Sequence, residues 1–103
     1  MNGFRDRAFR YTYLLTGVTE QQVRGLVRSH AIVEAKQALM LALFDGKMSY
    51  SAIGRLLGKH HTTIMHGVRE AKELRENHLA FREMCGVLRR LIFNEGGTDN
   101  GAG

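Results

Sequence analysis

Apolar residues along the chain recur at three- and four-residue intervals, and no long alternating run occurs. That is the period of helices and not of strands, so the pattern predicts an all-α domain of about six helices. The first spans residues 4–16, with Phe4, Ala8, Tyr11 and Leu15 on one face and Arg5, Arg7 and Arg10 around the rest. Gly17 supplies its stop. Thr19 and Gln22 have the spacing of a capping box, opening a short second helix with Val23, Leu26 and Val27 turned inward. Ser29 caps a third helix that runs to about residue 44. Ile32, Ala35, Leu39 and Leu43 form its stripe, and Ala38, Met40, Leu41 and Ala42 make it apolar nearly all round. A helix of that kind belongs at the centre of a core. Asp45-Gly46 ends it.

Ser49 caps a fourth helix over residues 50–57, with Ile53, Leu56 and Leu57 inward. Gly54 lets another helix pack close, and Gly58 stops the element in a left-handed conformation. A fifth helix begins within residues 60–62 and continues to about 76, burying Ile64, Val68 and Ala71. Asn77 caps a sixth, running to about residue 93, whose apolar side is Phe81, Met84, Cys85, Leu88 and either Leu91 or Ile92. The expected organisation is a basic helical extension over 1–17, a helix-turn-helix domain over 18–94, and a glycine-rich disordered tail over 95–103.

Composition narrows the classes. The 103 residues are 44% apolar and 24% charged, which is ordinary for one globular domain. Cys85 stands alone, so no internal disulfide can staple the chain. The longest apolar stretch is the seven residues 38–44, too short to span a membrane, and the arginines at 5, 7 and 10 are followed by no signal-type apolar run. A soluble protein in a reducing, cytoplasmic-type compartment is the expectation. The net charge is +5, and all of the surplus lies in the first sixty residues, since residues 61–103 carry equal numbers of basic and acidic groups. A basic half joined to a balanced half points to a polyanionic partner.

The chemistry concentrates in residues 49–69, SYSAIGRLLGKHHTTIMHGVR. A short helix, a turn containing Gly58 and a second helix have helix-turn-helix spacing. The second helix opens on Lys59, His60, His61, Thr62 and Thr63, with no aliphatic side chain among them. Backbone N–H groups and the helix dipole at such an end favour phosphate. Threonine methyls can touch the thymine methyl, while histidine and lysine can donate to guanine. His60, His61, Thr62 and Thr63 are therefore base-reading candidates, and Lys47, Arg55, Lys59 and Arg69 phosphate candidates.

Residues 18–93, about three-quarters of the chain, resemble the C-terminal DNA-binding domain of the bacterial replication initiator DnaA. The matching residues are Ile53-Gly54, Leu57-Gly58, His61-Thr62-Thr63-Ile64 and His66. The buried helix before them is similar to the family's Arg-Gln-x-Ala-Met helix through Lys36-Gln37 and Met40, and Arg69 and Leu74-Arg75-Glu76 fall in its charged helix. The resemblance implies a Trp-repressor-like fold, double-stranded DNA as partner, and Arg28 reaching a minor groove to read bases. Lys36, Ser49 and His66 complete the expected phosphate set. Two departures imply a recognition code of the chain's own. His60 replaces the family's aspartate, and the turn is one residue shorter, with Lys59 directly after Gly58.

The initiator's nucleotide-binding domain has no counterpart, and residues 54–60, GRLLGKH, fail as a phosphate loop. They have three residues between the glycines where four are required, and histidine where Ser or Thr must hold magnesium. No cofactor and no enzymatic activity are expected. No metal is expected either, because His61 and His66 lie about 140° apart around a helix. The expected function is sequence-specific DNA binding by a free-standing regulator of transcription or replication, of phage or mobile-element type. The alternative is a helical adaptor that holds a protein partner, such as a host replication protein, through an apolar patch in residues 4–17. Cys85, Met40, Met48, Met65 and Met84 read as packing.

Overall fold

The computed structural model describes residues 3–93. Among them are six helices and no strand: α1 Gly3–Thr16, α2 Glu20–Arg24, α3 His30–Asp45, α4 Tyr50–Leu57, α5 His61–Asn77 and α6 Leu79–Phe93. The tail expected over 95–103 lies outside the described residues. Helix α3 is the axle of the fold and packs against each of the other five. The Ser29 side chain accepts from Ile32 N at its start, and residues 38–43 are all buried. Removing Leu39, Leu41 and Leu43 completely from water contributes about 1.5–3 kcal/mol each. Gly67 of α5 meets α3 at Met40, where a Cβ would collide with the sulfur.

The capping predictions for α2, α3 and α4 hold in detail. Thr19 and Gln22 form the reciprocal capping box, and Ser49 accepts from Ala52 N at 3.1 Å. Gly17 and Gly58 both have positive φ. The last helix starts differently from expectation. Asn77 is the final residue of α5 rather than a cap for α6, because its amide donates back to Glu73 O at 2.8 Å. His78 alone joins the two helices. Of the two alternatives on α6, Ile92 is buried and Leu91 is exposed.

Two predicted faces are corrected. On α1, Ala8, Phe9 and Thr12 are buried, Phe4 and Tyr11 pack at the rim, and Leu15 is exposed. Thr12 can be buried because its hydroxyl donates to Ala8 O at 2.8 Å. The helix sits on α6, with Arg7 Nε donating to Ile92 O at 2.8 Å and the Phe4 ring 5.3 Å from Phe93. After α2, Leu26 and Val27 point outward instead of inward, since the helix ends at Arg24 and its periodicity ends with it. Only Val23 reaches the core. Ion pairs fasten the periphery, Arg5 to Glu20 between α1 and α2, and Arg75 to Asp45 between α5 and α3.

Candidate nucleic-acid interface

Helices α4 and α5 are joined by Gly58, Lys59 and His60. Gly58 takes the left-handed conformation, φ 70° and ψ 37°, and Lys59 N donates to Gly54 O at 2.8 Å. The turn folds back so tightly that a Cβ on Gly54 would lie 2.5 Å from Lys59 O. The close approach at Gly54 is therefore made by the turn itself, not by a neighbouring helix as its sequence position suggests. Ile53, Leu57 and Ile64 lock the two helices together with no solvent exposure.

His60 is the N-cap of α5, and its Nδ1 accepts from Thr62 N at 3.1 Å. His60 thus caps the helix although it replaces the family's aspartate, because an imidazole nitrogen accepts where a carboxylate oxygen would. Acceptance at Nδ1 leaves the ring proton on Nε2, as a donor. The His61 ring lies beside it, 4.3 Å between centroids. His61, Thr63, His66 and Arg69 are exposed and Thr62 is half-buried. At helical spacing Thr62, His66 and Arg69 fall within roughly 60° of one another, on the outer side of α5.

A second element approaches from the other side. A groove of about 530 Å³ runs between the loop after α2 and the N-terminal half of α5, and Arg28, Lys36, Lys59, His60, Thr63 and His66 line it. Its one carboxylate, Glu70, accepts from Gln37 Nε2 at 2.8 Å. Lys36 is buried, with Nζ donating to Gly25 O at 3.1 Å, and Lys59 Nζ donates to the same carbonyl at 3.2 Å. Burial first, then the neighbouring Lys59 and Arg28 charges, hold the Lys36 ammonium below the ordinary lysine value. The groove thus carries concentrated, incompletely compensated positive charge, the condition that attracts phosphate.

The other candidates are spread around α4. Ser49 caps it, Arg55 stands exposed in its last turn, and Lys47 is exposed in the preceding loop at φ 79°. They do not line the groove. The sequence reading missed Arg24, whose Nη1 donates to Leu56 O at 2.6 Å, and Gly25, whose carbonyl gathers two lysines. Neither had a sequence signal, since one acts through a long-range backbone contact and the other has no side chain. Among the described residues no three His, Cys, Asp or Glu side chains gather where a metal ion could be held. No helix among them is long and apolar enough to cross a membrane.

A tight turn between a locked helix pair, with short polar side chains opening the second helix, defines a helix-turn-helix module. The family model described as the bacterial dnaA protein helix-turn-helix matches residues 10–71, and the chain belongs to that family. The match begins inside α1, before the resemblance read at residue 18, and ends within α5. Comparison with curated proteins and with solved structures yields no match.

Proposed function

We propose that the chain binds double-stranded DNA sequence-specifically through this motif and regulates transcription or replication from the bound site. The start of α5 enters the major groove, where His60, His61, Thr62 and Thr63 read base edges. Arg28 reads the adjacent minor groove. Lys36, Lys47, Ser49, Arg55, Lys59, His66 and Arg69 hold phosphates, and the module serves as a binding unit rather than a catalyst. The observation that supports this reading best is the basic groove between Arg28 and the N-terminal half of α5.

The experiment is site selection from random duplexes followed by competition against scrambled DNA. His61→Ala and Thr62→Ala shrink the ratio of specific to non-specific binding, by about 1–3 kcal/mol per lost base contact. Lys59→Ala lowers both affinities together. Folded His61→Ala and Thr62→Ala variants that keep full discrimination would count against this reading. The adaptor reading is favoured by one observation, the exposure of Tyr13, Leu14 and Leu15 at the end of α1. It gains if replacing them abolishes a protein contact and leaves DNA affinity intact.

A further inference from the structure

We propose that Leu26 and Val27 form an apolar wedge that enters the minor groove beside Arg28 and opens a base step in bound DNA. The inference rests on the DNA-binding reading and adds a deformation of the duplex to it.

Leu26 is 88% exposed and Val27 65% exposed, on consecutive positions of one loop. Single exposed apolar residues are commonplace. This pair differs in how it is held. Arg24 ties the preceding turn to Leu56 O at 2.6 Å. Gly25 O receives both Lys36 and Lys59. On the far side Ser29 is fixed as the cap of α3. The ends of the loop are thus fastened to the scaffold while its two apolar side chains stand in water. Neither side chain belongs to the core cluster.

The position of Leu26 selects the partner, with Val27 next to it outside the groove lining. Leu26 and Arg28 line the same groove as His60, Thr63 and His66, and that groove is basic. A polyanion is the complementary occupant. With α5 in a major groove, an element flanking its start overlies the phosphates and the neighbouring minor groove. Phosphates offer nothing to a leucine or a valine, whereas partly unstacked bases offer apolar faces. An arginine with an adjacent apolar side chain is the equipment of proteins that read the minor groove and kink DNA by about 20–90°. Pyrimidine–purine steps, which unstack most readily, are the preferred place of entry.

The test uses the full chain and a duplex that it selects from a random pool. Donor and acceptor dyes at the duplex ends report bending, and a fluorescent adenine analogue, moved through the site, reports unstacking. Anisotropy on the same samples reports binding. The wild type shortens the end-to-end distance and raises the analogue's fluorescence at one step. L26A/V27A still binds, with the same salt dependence, but loses both signals. L26F restores the fluorescence rise in the V27A background. All substituted positions are exposed, so circular dichroism stays native. Wild-type binding without bending or fluorescence change overturns the wedge and leaves DNA binding standing, as does bending that survives in L26A/V27A. Absence of duplex binding by anisotropy overturns both readings.

Discussion

His60 illustrates how far one side chain can depart from a family's residue without losing its local task. The ring accepts the Thr62 amide proton that an aspartate would accept, so α5 starts where the motif requires. His60→Ala leaves that amide without its acceptor and lowers stability by about 0.5–2 kcal/mol. His60→Asp keeps the cap, and its charge favours the helix dipole but repels phosphate. Chemical denaturation checks the first effect. Duplex affinity of the Asp variant checks the second and should fall. Lys36 makes a pH-dependent prediction. Its folded-state value is lowered by burial, Lys59 and Arg28. Between that value and the ordinary 10.5, the unfolded chain holds more protons than the folded one, so stability rises with pH through this window. Wild-type stability should therefore climb relative to Lys36→Met as pH rises there, while its relative affinity for DNA declines. Melting curves and titrations at stepped alkaline pH test both. Sequence made the caps Thr19, Ser29 and Ser49 legible because capping is chemistry between near neighbours. It could not show where the Lys36 ammonium goes, because its acceptor is a carbonyl eleven residues away.

Among the elements, α3 carries the largest share of the core. Leu39 is fully enclosed at its centre, so Leu39→Ala should cost about 2–5 kcal/mol, read as a lowered denaturation midpoint. An unchanged midpoint would move the centre of the core elsewhere. Helix α6 offers a probe of its own opening. Burial pushes the Cys85 thiol up to about 12 from 9.0, ahead of the smaller effects of Arg75, Asp45 and Glu34. Alkylation at neutral pH should wait on unfolding and accelerate with denaturant. The same shift removes stability as pH rises from 9.0 towards about 12, where only the unfolded thiol ionises. Helical periodicity exposed α3, α4 and α5 almost to the residue, because their apolar stripes run the full length of each element. It failed where an element is too short to define a face. Val23 is the one buried residue of five-residue α2, and the stripe extrapolated through Leu26 and Val27 belongs to no helix. The join of α5 to α6 was blurred for the opposite reason, since a single non-helical residue leaves almost no break in the pattern.

Across the whole molecule the polarity of charge is the controlling quantity. Arg28, Lys36 and Lys59, part of the surplus carried by residues 1–60, meet the start of α5 along one groove, while Lys47 and Arg55 stand outside it, and binding driven by this charge should be steeply salt-dependent. A plot of log affinity against log salt should fall by about 0.9 per phosphate engaged, and Arg55→Ala and Arg69→Ala should each reduce that slope by about one. A slope near zero would exclude an electrostatic mechanism. Composition revealed this imbalance, but not that Arg28 and His66 face a shared cleft, since only the fold brings residues so distant in sequence together. The carbonyl of Gly25 gives the charge a geometry as well. Because Lys36 from α3 and Lys59 from the turn donate to the same oxygen, the loop bearing Arg28 is tied both to α3 and to the turn that opens the helix bearing Thr63. On the proposed reading the two contacts behave as the jaws of a fixed calliper. Such a protein measures a length as well as reading letters: one base pair inserted between the two contacted segments leaves every letter intact and still makes a poor site.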